Sequence, residues 1–224
     1  MNNFWESIMG TLSRVWIFGL FLALAVPGTV LAKGSIDAGR LKASTCMGCH
    51  GIPTYDRAYP SYDVPKLGGQ HKQYILKALK DYRASKRNFP TMHAQASELN
   101  KQDRQDVAAF LSQKKSEAFP SGKYTPVKNF TVNDTYKAGQ KLSKPCAACH
   151  GKAGHSTTAL FPILAGQYKS YLMQALKDYR SGKRESAIMN GMAASLSDQQ
   201  IEQLASFFSS QPTNLYTPSV ENER

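Results

Sequence analysis

Two five-residue stretches constrain this chain more than anything else in it. Cys46-Met47-Gly48-Cys49-His50 and Cys146-Ala147-Ala148-Cys149-His150 lie 100 residues apart and hold all four cysteines of the 224-residue sequence. Both read C-x-x-C-H, a spacing that fits c-type haem attachment. Each thiol can add to one vinyl group of a haem, and the histidine that follows lies under the iron as proximal ligand. A C-x-x-C pair alone could also be a thioredoxin-like dithiol, a zinc half-site or a structural disulfide. A zinc site would draw both pairs to one ion and leave the histidines without a use. Two complete copies with no other cysteine favour two covalently bound haem c groups.

The chain repeats itself around these motifs. Leu67-Gly68-Gly69-Gln70 matches Leu164-Ala165-Gly166-Gln167, and residues 73–83 match 170–180, both at an offset of 97. Asp37-Ala38-Gly39 matches Lys137-Ala138-Gly139 at an offset of 100, so the first copy carries a haem-side loop three residues longer, Gly51–Lys66. Residues 33–118 and 133–210 are therefore expected as two domains, joined by a Pro- and Gly-containing linker at 119–132. The tail at 211–224, with Pro212 and Pro218, reads as a surface strap or a frayed end.

Each copy reads as three main helices, and the fold class is all-α. Ser35–Thr45 is the first. Gln70–Ser85 is the second, with Tyr74, Ile75, Ala78, Leu79 and Tyr82 forming an apolar stripe and the lysines mostly off it. Asn100 can cap a third that ends near Gln113, and Ser197 caps its counterpart. No stretch has strand periodicity.

A haem iron held by one histidine needs a sixth ligand or stays open, and the repeat suggests where to look. Met92 and Met189 stand in register, each seven residues before the leucine that precedes the last helix, in a stretch expected to be a loop. Methionine sulfur suits a high-potential haem. Core filling by these methionines is the competing reading. Met192 and His93 are weaker rivals, because their counterparts are Gln95 and Asn190. His71 and His155 lack repeat support and read as surface residues. Pro65 and Pro162 also align, and their carbonyls are candidate acceptors for the second ring N–H of His50 and His150; loop stiffening is the alternative.

The charge is +12, from 28 Lys and Arg against 16 Asp and Glu. These charges are dispersed and no nucleic-acid motif accompanies them, so acidic redox partners or an acidic membrane surface fit better than DNA or RNA. The low carboxylate content also suits an acid-facing compartment. At the N-terminus, Arg14 precedes an apolar run from Val15 to Val26, and Val30-x-Ala32 offers a cleavage site. Residues 1–32 are expected to be a signal peptide, with an uncleaved anchor as the alternative. Export matches the chemistry, because free thiols outside the cytoplasm would otherwise form a disulfide.

Together these features resemble the dihaem cytochromes c of the cytochrome c4 family. The motifs are both C-x-x-C-H copies, Pro-x-Leu-Gly/Ala-Gly-Gln, the helix ending Asp-Tyr-Arg and the methionine segment, and they span nearly all of residues 35–210. The resemblance implies two tandem class I cytochrome c domains with their haem propionate edges facing each other. It implies His50 with Met92 and His150 with Met189 as axial pairs. It implies that Gly39 packs on Phe110 and Gly139 on Phe207. The function it implies is an electron carrier in the periplasm, loosely membrane-associated, working toward a terminal oxidase and not itself an enzyme. The donor could be a quinol-oxidising complex or a copper protein. Met92-His93-Ala94-Gln95 lacks the glycine of Met189-Asn190-Gly191-Met192, so the two methionine segments are expected to differ in shape. Net charge is +7 over residues 33–118 (15 basic, 8 acidic) and +5 over 119–224 (12 basic, 7 acidic), so two distinct potentials are expected. The rivals are a dihaem peroxidase with one open iron, and a membrane-anchored cytochrome subunit of a respiratory complex.

Overall fold

The computed structural model describes residues 33–57, 60–114 and 132–218. The expected signal peptide at 1–32, residues 115–118 of the first domain, linker residues 119–131 and tail residues 219–224 lie outside the described residues.

Ten α-helices run through the described residues. The first half has α1 (Ile36–Lys42), α2 (Met47–His50), α3 (Lys72–Arg83), α4 (Pro90–Glu98) and α5 (Lys101–Leu111). The second has α6 (Asp134–Leu142), α7 (Ala147–His150), α8 (Lys169–Arg180), α9 (Ala187–Ala193) and α10 (Asp198–Ser209). Extended pairing among the described residues is confined to isolated bridges, so the fold is all-α. Among these residues no helix is long and apolar enough to cross a membrane.

Local chemistry fixes the ends. The Ser35 hydroxyl accepts from Ala38 N at 3.3 Å to start α1, and Asn133 Oδ1 accepts from Tyr136 N at 2.9 Å to start α6. After Lys42 the chain tightens into a 3-10 turn, Ala43–Cys46, so the single helix expected over Ser35–Thr45 is split. That turn leads directly into α2 and its motif. α3 begins at Lys72 rather than Gln70, because His71 is extended (φ −61°, ψ 128°) and stands as its N-cap. Beyond α3, Ser85 takes a left-handed conformation (φ 57°), as Gly182 does at the matching place (φ 77°). A capping box opens α5 through Asn100 and Asp103, and another opens α10 through Ser197 and Gln200.

The first and last helices of each half cross where α1 or α6 carries glycine. A Cβ on Gly39 would fall on the Asp106 carbonyl and stand 2.9 Å from Phe110 Cβ. On Gly139 it would fall on the Gln203 carbonyl and stand 2.9 Å from Phe207 Cβ. Around these crossings lie two cores, one with Ile75, Val107, Phe110 and Leu111, the other with Tyr136, Leu172, Leu204, Phe207 and Phe208.

The methionine segments correct one expectation. They are helical, not loops: Pro90 sits in the first turn of α4, and the Ser186 hydroxyl caps α9. Each half therefore adds this helix and the short motif helix to its three main ones. Residues 211–218 form a strap: Gln211 is 2 % exposed, Tyr216 and Gly68 exchange backbone hydrogen bonds at 3.0 Å, and the Tyr216 hydroxyl donates to Gln113 O at 3.1 Å.

The halves meet by reciprocal contacts. Gln70 Nε2 donates to Ile163 O (3.0 Å) while its Oε1 accepts from Ile163 N (2.9 Å). Gln167 Nε2 donates to Lys66 O (3.0 Å) while its Oε1 accepts from Lys66 N (2.9 Å). Since 66 and 70 correspond to 163 and 167, each half offers the same amide to the same backbone position of the other. A second reciprocal pair joins Asn88 N to Lys183 O at 2.8 Å and Glu185 N to Lys86 O at 2.7 Å.

Candidate functional site

Helices α2 and α7 each place two cysteines and a histidine within one turn. The histidines are buried, His50 at 8 % exposure and His150 at 7 %. Nδ1 of His50 is 2.9 Å from Pro65 O, and Nδ1 of His150 is 3.0 Å from Pro162 O. A carbonyl only accepts, so Nδ1 carries the proton and Nε2 keeps its lone pair. Burial pushes both imidazoles below the usual histidine value, with the proline carbonyls working the other way. That favours the neutral form a metal needs. Burial pushes the Cys46 and Cys146 thiols up, the opposite of what a reactive dithiol requires. No group of three or more His, Cys, Asp or Glu among the described residues is placed to hold a metal ion, so the cysteine pairs do not converge as a zinc site would need.

Both motifs open on one cavity of about 1150 Å³. All four cysteines, His50, His150, Met92 and Met189 line it. So do Pro65, Pro162 and apolar side chains from both cores, including Ile75, Leu79, Leu172 and Phe208. Met92 comes from α4 and Met189 from α9, both half-buried. Met189 N donates to Ser186 Oγ (3.3 Å), and the Asn190 amide donates to Tyr179 O (2.5 Å) and Arg184 O (2.9 Å). Met192 also lines the cavity but is 43 % exposed.

The other histidines are not in the cavity wall. His93 Nδ1 is 2.9 Å from Tyr82 O, at the position Asn190 holds in the second half. His71, expected at the surface, is half-buried and donates across the halves to Ser156 O at 2.9 Å. His155 is also half-buried.

Sequence reasoning missed two arginines. Arg87 and Arg184 stand at the repeat offset, are 5 % and 7 % exposed, and line the same cavity. The matching Lys-Arg pairs at 86–87 and 183–184 were the available signal. Nε of each arginine is buried without a hydrogen-bond partner. A haem carries two carboxylates, so two buried orphan donors, two neutral histidines and two thiol pairs on one apolar cavity fit a pair of haems.

The family model for cytochrome c matches twice, over residues 37–115 and 136–212. The chain is 33 % identical to cytochrome c4 of Stutzerimonas stutzeri over 85 % of its own length and 96 % of the relative's. This chain belongs to the cytochrome c4 family. Among solved structures, reduced cytochrome c4 from Pseudomonas stutzeri superposes with a TM-score of 0.62 at 30 % identity, covering 79 % of this chain and 98 % of that one. A protein described as a thiosulfate dehydrogenase electron acceptor, from Stutzerimonas stutzeri strain A1501, is 30 % identical over 74 % of this chain and 78 % of its own. As a cytochrome c4-like electron carrier, the protein has two tandem class I cytochrome c domains and carries two covalently bound haem c groups.

Proposed function

We propose that this protein shuttles electrons through the periplasm toward a terminal oxidase, with the two irons as closed relay sites. The observation that carries this is the one cavity into which both C-x-x-C-H turns and both in-register methionines project. In this reading Cys46, Cys49, Cys146 and Cys149 form the thioether links. His50 with Met92, and His150 with Met189, would hold the irons. The Pro65 and Pro162 carbonyls fix the histidine rings and raise their basicity. The haem iron supplies an Fe(III)/Fe(II) couple whose potential neutral methionine sulfur keeps high. With a histidine and a methionine on each iron, no position would be left for substrate, and the protein would act as a carrier and not as an enzyme. Residues 33–118 and 133–210 are the two domains, and residues 1–32 direct export.

The donor is a quinol-oxidising complex or a copper protein. The +12 charge supports docking to acidic partners and loose association with an acidic membrane surface. The relative named as an acceptor for thiosulfate dehydrogenase supports a second reading, in which a sulfur-oxidising enzyme is the donor.

Optical spectroscopy tests the ligands. The oxidised protein should show the methionine–iron charge-transfer band at full strength for two haems, and the reduced protein should not bind carbon monoxide. Carbon monoxide binding at one iron points instead to a peroxidase-like site. Stopped-flow reduction of an isolated terminal oxidase, falling with salt, supports the shuttle. A purified native chain beginning at Lys33 removes the anchored-subunit alternative.

A further inference from the structure

The two motif histidines are held from behind by different pieces of chain. Each has its Nδ1 on a proline carbonyl, and each proline opens a short segment, Pro65–Gln70 or Pro162–Gln167. In the second half that segment is backed by its own haem-side loop. Leu164 N and Ala165 N both donate to Gly154 O, at 2.9 and 3.2 Å. Gly154 lies four residues after His150 and is left-handed (φ 84°); a Cβ on it would stand 2.9 Å from Ala165 N.

The first half places its loop differently. Thr54, four residues after His50, is also left-handed (φ 54°), but its N–H donates to Tyr168 OH of the second half at 3.0 Å. The place behind the segment goes to the strap. Gly68, the counterpart of Ala165, donates to Tyr216 O and accepts from Tyr216 N, both at 3.0 Å. The Tyr216 ring covers Gly68 so closely that a Cβ there would be 2.4 Å from Cε2. Its hydroxyl donates to Gln113 O at 3.1 Å, and its neighbour Leu215 is buried. Loop and strap meet at one group, because Tyr168 OH also lies 3.2 Å from Thr217 Oγ1.

Backbone groups that leave water need partners. The second half finds them in its own loop, and the first half takes them from the strap. The neighbouring anchors come from the second half too. Gln167 brackets Lys66, the residue after Pro65, at both N–H and carbonyl, and Lys66 Nζ donates to Gly166 O at 2.8 Å. The segment returns to its own half at Gly69, whose N–H donates to Leu111 O at 2.9 Å.

We propose that Tyr216 is a positioning residue for the first iron: the strap steadies the Pro65 carbonyl and through it the His50 ring, so that a segment of the second half sets the potential in the first. This rests on the reading above in which His50 is an axial ligand. A carbonyl that holds the Nδ1 proton makes the imidazole a better donor to the metal, and a better donor favours Fe(III). With the strap displaced, the carbonyl loses its support and the hydrogen bond weakens. The first iron then becomes easier to reduce, while the second keeps its backing from Gly154.

Gly68→Ala in the haem-loaded full chain is the direct test. Alanine is what the second half carries at Ala165, and here its methyl group meets the Tyr216 ring. Redox titration should show one midpoint rising and the other unchanged. In the reduced protein with isotope-labelled histidine, nuclear magnetic resonance should show the Nδ1 proton of His50 exchanging faster with solvent, with that of His150 unaffected. Adding Tyr216→Ala removes the ring, lets the main-chain pair re-form and should bring both readings most of the way back. Tyr216→Pro leaves Gly68 alone but removes both the ring and the N–H that Gly68 O accepts, and it should repeat the rise.

A midpoint that falls instead reports water entering a loosened core, and overturns the proposal. Equal shifts at both irons would make the strap a fastener of the halves, and overturn it as well. So does unchanged proton exchange at His50. The methionine–iron band and carbon monoxide binding read the axial ligands and should stay native in every variant, so failure here is distinct from failure of the ligand assignment.

Discussion

The two halves are near-copies wherever each can offer the other the same contact, and differ wherever the chain provides a segment only once. Gln70 and Gln167 make the same two hydrogen bonds across the interface, and Gly39 and Gly139 meet their partner helices in the same way. Against that, the longer loop of the first half reaches over the second: Thr54 N donates to Tyr168 OH at 3.0 Å and Asp63 N to Ser170 Oγ at 2.9 Å. The tail returns the contact, laying Leu215 and Tyr216 on the first half. The repeat supplies two equivalent iron sites, and the unique segments lock them together and make their surroundings unequal.

The strongest way to break the equivalence is at Met92 and Met189, the methionines proposed as iron ligands. Met92→Leu and Met189→Leu should each abolish about half of the methionine–iron band. Each should lower one midpoint potential by a sizeable part of the ~0.8 V range that axial ligation spans, and open one iron to carbon monoxide. Spectroelectrochemistry of the two variants measures this. Loss of the whole band in one variant, or none in the other, would show that the sites are not equivalent.

The helix crossings should come next. Gly39→Ala and Gly139→Ala each force a methyl group into a backbone carbonyl. Each is expected to destabilise by ~3 kcal/mol, at the upper end for overpacking, because backbone cannot repack as a side chain can. Denaturant unfolding should give matching losses, since the contacts match. Gln70→Ala and Gln167→Ala should cost less, ~2 kcal/mol each, for stranding one N–H and one C=O. A double variant that loses less than the sum would mean the two amides act as one clasp.

Much of this was legible because the chain repeats. C-x-x-C-H is a local signal, and the offset of 97 carried Met92 and Pro65 to Met189 and Pro162 without any contact being known. The helical state of the methionine segments was not legible: α4 starts on a proline after Phe89 and α9 contains Gly191, and the cap at Ser186 has no equivalent hydroxyl at Phe89. Arg87 and Arg184 were hidden among dispersed basic residues, since only folding separates a buried guanidinium from a solvated one. The tail carries no periodicity at all; its place depends on the open backbone of Gly68 and Gly69, where a side chain would collide with Tyr216 and Asn214.

The smallest expected effect separates the halves by pH. The capping box of α5 uses Asp103 and that of α10 uses Gln200 at the matching position. Hydrogen bonds from Lys42 and the Asn100 N–H hold the Asp103 carboxyl below its usual value. A depressed carboxyl contributes stability that is full above the unfolded value, about 3.9, and is lost as pH falls through the lower folded value. Gln200 cannot titrate, so its cap is indifferent to acid. The depressed carboxylates of the second half, Asp198 beside Arg180 and Glu202 beside Lys169, are half or more exposed and should contribute little. Asp103→Gln should therefore cost at most ~1 kcal/mol at neutral pH and flatten the fall in stability below about pH 4. Gln200→Asp should steepen it. Unfolding midpoints across that range measure both, and an unchanged acid slope in Asp103→Gln would place the acid-sensitive group elsewhere. One half thus caps its last helix with a group that acid can neutralise, and the other with one that it cannot.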